Sequence, residues 1–573
     1  MRRAIKWIGI TAGVLLFSVV GLIVMARILT RHPMGSVLEV AIEGDIQEQR
    51  PSGALDHLFA SKKPTVLDYV EAILKARDDE RINGLLVTVD HSSLGFGTAQ
   101  EMRDAIGAFR ESGKWTVAYL ETAGEFSSGN KDYYLATACE SIWLAPPGDI
   151  NLTGVRSEVP FVRGTLDKLG IEPDFDHIGE YKTAKNLLTD RAMTPAHRES
   201  VEAIVESIYR QLRRGIAEGR HMTEDEAAAL IDRGPFTGPR ALQSALVDRL
   251  GYRDELEAYL KERNGGKLPL IKVREYLEKG RYYDGGVKVA LIYGVGSVTR
   301  GDSHHNPFTD ELTMGSDTVT AAIREAREDP SIKAIVLRVD SPGGSYVSSD
   351  IILRELKVTR KVKPVVVSMG DVAASGGYFV SLGADSVIAE PGTVTASIGV
   401  VGGKFVTTGF WDKIGLTYDA VQRGRHATFY SSRSRYSPEE RILFHEWLER
   451  IYDDFVVKVA EARGKTVEEV DAVARGRVWM GDDAHELGLI DELGGLRVAI
   501  RRAMELAETG PEERARLVIL PRRKGWLQEL FGLGEETRAA AGWLRAGVGR
   551  LASEGPAAGR WGVLEVPFVP VFE

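Results

Sequence analysis

Two stretches of this 573-residue chain, far apart from one another, are alike. A constant offset of 245 residues pairs Tyr133 with Tyr378, Ser141 with Ser386, Pro146 with Pro391 and Gly154 with Gly399. The likeness extends beyond these positions. Ile82 to Asp90 parallels Ile332 to Asp340, and Gly238, Ala241 and Asp248 recur as Gly481, Ala484 and Asp491. A period of this size excludes a solenoid of short repeats and describes two domains, each long enough to bury its own core. The first copy is read as 35–282 and the second as 283–505, with residues 1–34 ahead of them and a tail of 506–573 behind.

The copies differ where chemistry is expected. At the same offset Ser375 faces Asn130, so a candidate nucleophile exists only in the second copy. Shortly beyond the aligned block the first copy carries Gly179-Glu180-Tyr181-Lys182-Thr183-Ala184, whereas the second has Gly424-Arg425-His426-Ala427 and no lysine. A serine in one copy and a lysine in the other suggest a single site built by both.

The second copy alternates short β-branched runs with polar amphipathic stretches. Residues 287–293 and 334–339 read as strands and 318–328 as the helix between them; helix, strand, helix, strand follow over 348–358, 364–368, 376–382 and 386–389. Such alternation implies an α/β fold of parallel strands joined by right-handed crossovers, with helices on both faces. Ligands of such sheets sit beyond the carboxyl ends of the strands, where two unusual segments fall. One is Asp340-Ser341-Pro342-Gly343-Gly344, whose glycines let backbone N–H groups be approached closely, although a plain strand-to-helix turn reads the same way. The other is Gly370-Asp371-Val372-Ala373-Ala374-Ser375-Gly376-Gly377, which sets a serine beside N–H groups suited to an oxyanion.

Serine is a poor nucleophile at neutral pH without a base, and no histidine follows Ser375 before His426. Lysine can serve where burial disfavours its charged form. Lys182 fits, because its segment has no lysine in the other copy; Lys185 is the rival, and a solvated surface lysine is the ordinary alternative.

Ahead of the repeat, Arg2, Arg3 and Lys6 precede 19 uncharged, mainly apolar residues, 8–26, and Arg27 and Arg31 follow. That length spans a bilayer as a helix, and the basic flank favours a cytoplasmic N-terminus with exported domains. A cleaved signal peptide is the competing reading, with a poor cleavage site at Val24-Met25-Ala26. A net charge of −9 argues against nucleic acid as a partner. The single cysteine, Cys139, allows no internal disulfide and reads as a small buried residue. The 11 histidines show no metal-binding spacing, and neither a metal nor an organic cofactor is expected. In the tail, Trp526, Leu527, Leu530, Phe531, Trp543 and Leu544 permit an amphipathic helix against a neighbouring subunit or a membrane, or packing on its own domain.

Together, the Gly-Asp-x-Ala-Ala-Ser-Gly-Gly-Tyr run from Gly370, the Ser341-Pro342-Gly343-Gly344 loop, the Gly-x-Tyr-Lys segment ending at Lys182, the tandem halves and the apolar N-terminal segment resemble the bacterial signal peptide peptidase A family in its long form. The resemblance covers nearly all of 1–505 and thins beyond it. It implies tandem domains related to crotonase and to the Clp protease proteolytic subunit, following a transmembrane helix. It also implies a Ser–Lys dyad with Ser375 as nucleophile and Lys182 as general base. The family's lysine-orienting serine falls on Ser397 of Thr395-Ala396-Ser397-Ile398-Gly399, and its oxyanion site on backbone N–H groups of Gly376, Gly343 and Gly344. The implied substrates are hydrophobic signal-peptide remnants, degraded on the periplasmic side of the bacterial inner membrane by a ring-like homo-oligomer, tetrameric in the long form. Two other readings share parts of this pattern. A crotonase-type acyl-CoA enzyme would keep the fold and oxyanion turns without needing Ser375 or Lys182, and a dead membrane scaffold would lose the pair.

Overall fold

The computed structural model describes residues 32–50, 63–306, 309, 311–522 and 564–565. The apolar segment 8–26 and the aromatic stretch 525–554 lie outside them. Among the described residues, no helix is long and apolar enough to cross a membrane.

The duplication is visible in the backbone as two sheets. The first has six parallel strands, in the order Arg249–Leu250, Ser141–Leu144, Trp115–Leu120, Ile82–Ser92, Ser36–Gly44, Leu270–Lys272. The second repeats this plan around Val287–Val295, Ile332–Ser341 and Val365–Ala374. Ala515–Leu520, within the stretch read as a tail, pairs in parallel with Val287–Val295, as Leu270–Lys272 pairs with Ser36–Gly44 in the first copy. Both copies also have a fork. Val365–Ala374 pairs first with Ser386–Ala389 and then, near its end, with Val394–Ala396; in the first copy Ser141–Leu144 takes the first position and an Ala123 to Ile150 bridge the second.

The sheets are buried on both faces, so strand residues are apolar on both sides. Along Ile332–Ser341, Ile335, Leu337 and Val339 enter the second copy's core, whereas Ala334 and Val336 enter the larger core shared with the first copy. Arg338 lies on the face of Ala334 and Val336 and is fully buried. A buried guanidinium must be paired. Its partners come from the first copy: Glu48 at 2.6 and 3.0 Å and Glu101 at 2.8 Å, with Ser368 and the Met369 carbonyl on its own side.

The copies also exchange backbone. Glu172–Ile178 of the first pairs antiparallel with Val400–Val406 of the second, from Val400 opposite Ile178 to Val406 opposite Glu172. This ladder ends four residues before Lys182 and begins three after Ser397. Two 26-residue helices, Pro195–Arg220 and Pro438–Arg463, follow in equivalent places. Each is capped by a hydroxyl (Thr194, Ser437), starts with proline and stops at a left-handed residue (His221, Gly464), a pattern that fixes both ends of a helix.

Candidate active site

Ser375 stands where Val365–Ala374 turns into the short helix Gly376–Ser381. Its φ of +52° and ψ of −112° form a conformation that L-residues avoid. The surroundings hold it there: its N–H donates to the Ala396 carbonyl at 2.7 Å, and its own carbonyl accepts from Phe379 N–H at 2.8 Å. Ala396 and Ser397 also have positive φ, at +61° and +53°. Backbone strain of this kind concentrates at functional turns.

Lys182 reaches this turn from the other copy. Its Nζ donates to Ser375 Oγ at 2.9 Å, to Ser397 Oγ at 3.0 Å and to the Ser397 carbonyl at 3.2 Å. All three residues are buried. The structure thus sets Lys182, and not Lys185, against Ser375, with Ser397 on the amine's other side. An amine at this distance from a hydroxyl has the geometry required of a general base.

A segment that the sequence reading did not single out holds the lysine in place. The Arg475 carbonyl accepts from Tyr181 N–H at 2.9 Å, Gly476 N–H donates to the Ile398 carbonyl at 2.7 Å, and the Arg477 carbonyl accepts from Ser397 N–H at 2.9 Å. Gly476, at φ +84°, packs so closely on Lys182 that a Cβ would lie 2.3 Å from its backbone nitrogen. The only local signal was a glycine between two arginines.

Gly343 and Gly344 both have positive φ, and Gly376 packs on them; a Cβ at Gly376 would lie 3.0 Å from Gly344 N. Gly343 N–H donates to Ser341 Oγ at 3.2 Å, and that hydroxyl donates to the Gly296 carbonyl at 2.7 Å. One edge of Gly343–Gly344 pairs with Ser297–Thr299; the other pairs antiparallel with Leu564–Glu565 from the end of the chain. This edge therefore accepts an extended backbone.

Beneath these loops lies a row of acids. Asp340 accepts from Val372 N–H at 2.9 Å, and burial, reinforced by Glu48 and Asp371, pushes its carboxyl up to about 8. Asp371 accepts from the Thr98 N–H and hydroxyl of the first copy at 2.7 and 2.8 Å. Gly95 meets Asp371 so closely that a Cβ there would collide with the carboxylate. Cys139 is buried away from the site, where desolvation raises its thiol to about 12, well outside the range of a thiolate nucleophile.

A duplicated α/β chain whose copies jointly bury a lysine amine between two serine hydroxyls falls in the class of hydrolases that work through a serine. The chain belongs to peptidase family S49, which matches residues 108–266 and 357–510, one stretch in each copy, and it is a serine peptidase. It is 32% identical over 527 residues to the chloroplastic serine protease SPPA of Arabidopsis thaliana, covering 89% of this chain and 76% of that one. It is also 32% identical over 514 residues to Protease 4 of Salmonella typhi, covering 87% and 78%, and 31% identical over 466 residues to Protease 4 of Haemophilus influenzae, covering 78% and 73%. Two matched regions and this coverage are those of the long form of signal peptide peptidase A. Among solved structures, a point mutant of ClpP1 from Listeria monocytogenes aligns with 37% of this chain and 94% of its own at 15% identity and a TM-score of 0.24, a likeness too slight to bear on the fold.

Proposed function

We propose that this chain is a membrane-anchored serine endopeptidase that degrades cleaved signal peptides and other hydrophobic peptides through a Ser375–Lys182 dyad. The observation that carries the reading is the lysine amine held at 2.9 Å from Ser375 Oγ and 3.0 Å from Ser397 Oγ. A neutral Lys182 takes the Ser375 proton as Oγ bonds to the scissile carbonyl carbon. The tetrahedral intermediate collapses by breaking the C–N bond, and the proton passes from Lys182 to the leaving amine. Water, deprotonated by the same amine, then releases the acyl group from Ser375. Ser397 positions the lysine. The oxyanion is received by backbone N–H groups of Gly376, Gly344 and Gly343, the last of which must leave Ser341 Oγ. The substrate lies as an added strand along Gly343–Gly344, which supports a preference for extended peptides, and a preference for small or apolar side chains is proposed with it.

Each copy is read as a crotonase- and Clp-like domain. Residues 8–26 are proposed to anchor the chain in the bacterial inner membrane, with both copies periplasmic in a tetrameric ring. An acyl-CoA enzyme would leave the buried lysine and both hydroxyls without a purpose. The test is Ser375→Ala: peptide hydrolysis should fall by several orders of magnitude with folding and oligomer size unchanged. Retention of more than about a tenth of the turnover would remove Ser375 from the mechanism.

A further inference from the structure

The first copy keeps a cavity at the place where the second has Ser375. It measures about 500 Å3, within the range of pockets that bind ligands. Its lining includes Ser92, which ends the strand Ile82–Ser92, and Ser93 to Gly95, which follow it as Gly343 to Ser345 follow Ile332–Ser341, together with Asn130 and Lys131, which open a helix as Ser375 and Gly376 do. The counterpart of Ser375 is missing from this cavity. Asn130 stands in for the serine, and its amide is engaged at both ends, Nδ2 donating to the Gly154 carbonyl at 2.7 Å and Oδ1 accepting from Thr153 N–H at 3.2 Å. Side chains brace the loop where the second copy has glycines: Lys131 Nζ donates to the Leu94 carbonyl at 2.8 Å, and Asp132 accepts from Ser92 N–H at 3.1 Å.

The walls are apolar and come from both copies: Leu94, Phe96, Val155, Ile208, Val372 and Val394. Ser93, Ser127 and Ser128 add a polar rim, and the Lys131 amine faces two carboxylates, Asp132 and Asp371, in the same cavity. This composition suits a neutral, apolar side chain with peptide groups at the rim, rather than an anion. Val372 and Val394 each precede by three residues a serine of the candidate site, Ser375 and Ser397.

We propose that this cavity is a second, non-hydrolytic peptide site, which holds an apolar segment of the same class of peptide that the Ser375 site is proposed to cleave. The proposal rests on that reading of the substrate, and its occupant follows from the duplication: this is the peptide-facing end of a sheet that has lost the nucleophile and kept the room. The two strands it shares with the Ser375 turn give it a direct mechanical route to that site.

The test uses the full chain with Ser375 blocked by a fluorophosphonate, and a fluorescent acetyl-Leu-Ala-Leu-Leu-Ala amide carrying a photo-crosslinker. First, unblocked enzyme must cleave a longer peptide containing this sequence; if it does not, the reading of the substrate fails, independently of the cavity. With cleavage established, blocked enzyme should still bind the probe, Val155→Trp and Ile208→Trp should each weaken that binding about tenfold or more, and the crosslink should map to 91–96 or to Val155. Absence of binding to the blocked enzyme, binding unchanged in a folded tryptophan variant, or crosslinks confined to the surroundings of Gly343–Gly344 would each overturn the second site. If both variants fail to fold, the crosslink position alone decides.

Discussion

Gly476→Ala tests how strictly the lysine is held. A Cβ at this position would stand 2.3 Å from Lys182 N and 2.5 Å from its Cα and Cβ, whereas ordinary contact begins at 3.4 Å. These are backbone and stem atoms with no rotamer to escape through, so Lys182 must move by about 1 Å. Its amine lies 2.9 Å from Ser375 Oγ, and the same shift carries it beyond hydrogen-bond range. A misplacement of about 1 Å can cost on the order of 100-fold in rate, which is the expected fall in kcat/KM for an apolar peptide ester. The left-handed φ adds a stability cost of roughly 1–2 kcal/mol. Gly464→Ala separates the two effects. Gly464 has φ +61° with nothing within 4 Å of a new Cβ, so it should bear the left-handed φ cost alone and keep its activity. Thermal unfolding and ester hydrolysis measured on both variants give the comparison. Full activity in Gly476→Ala, or equal losses in both, would refute the claim that Gly476 acts through Lys182.

Lys182→Ala should be nearly inactive while Lys185→Ala keeps substantial activity in the same assay; the reverse ranking would move the base. A chain ending at Arg522 lacks the Leu564–Glu565 pairing on Gly343–Gly344, so its KM for peptides should fall with kcat little changed, and an unchanged KM would mean that this strand does not compete with substrate. Asp340, near 8 when folded and near 4 when unfolded, binds a proton on folding between those values. Its contribution is therefore full below about pH 4 and is lost as pH rises toward about 8. Asp340→Asn, which keeps an acceptor for Val372 N–H, should lose less thermal stability than the parent between pH 5 and 8, and an identical slope would show that this proton is not taken up.

The second copy's strands and crossover helices were legible because both faces of its sheet are buried and the pattern changes where strand gives way to helix. The helix expected over 318–328 is Ser316–Glu328. The strand expected over 364–368 continues to Ala374, because its last residues find Val394–Ala396, a partner distant in sequence that leaves no local mark. The same holds for the ladder between Glu172–Ile178 and Val400–Val406, which brings lysine and serine together. Ser375, Lys182 and Ser397 could be singled out because duplication exposes what one copy has and the other lacks, and because the motif resemblance covered Ser397. Gly476 could not, since its constraint is a neighbour's backbone. Arg338 did carry a signal, a charge inside an apolar strand where the first copy's equivalent is Thr88, but its partners Glu48 and Glu101 lie in loop and helix far upstream.

Lys182 of one copy is proposed to activate Ser375 of the other. The most direct measurement is the rate at which a fluorophosphonate labels the intact protein, with the adduct located by mass spectrometry, in the parent and in Lys182→Ala. A single adduct on Ser375 is expected in the parent, with labelling slowed by at least about 100-fold in the variant and unfolding temperature nearly unchanged. Labelling of Ser375 at the parent rate without Lys182, or an adduct on another residue, would contradict it.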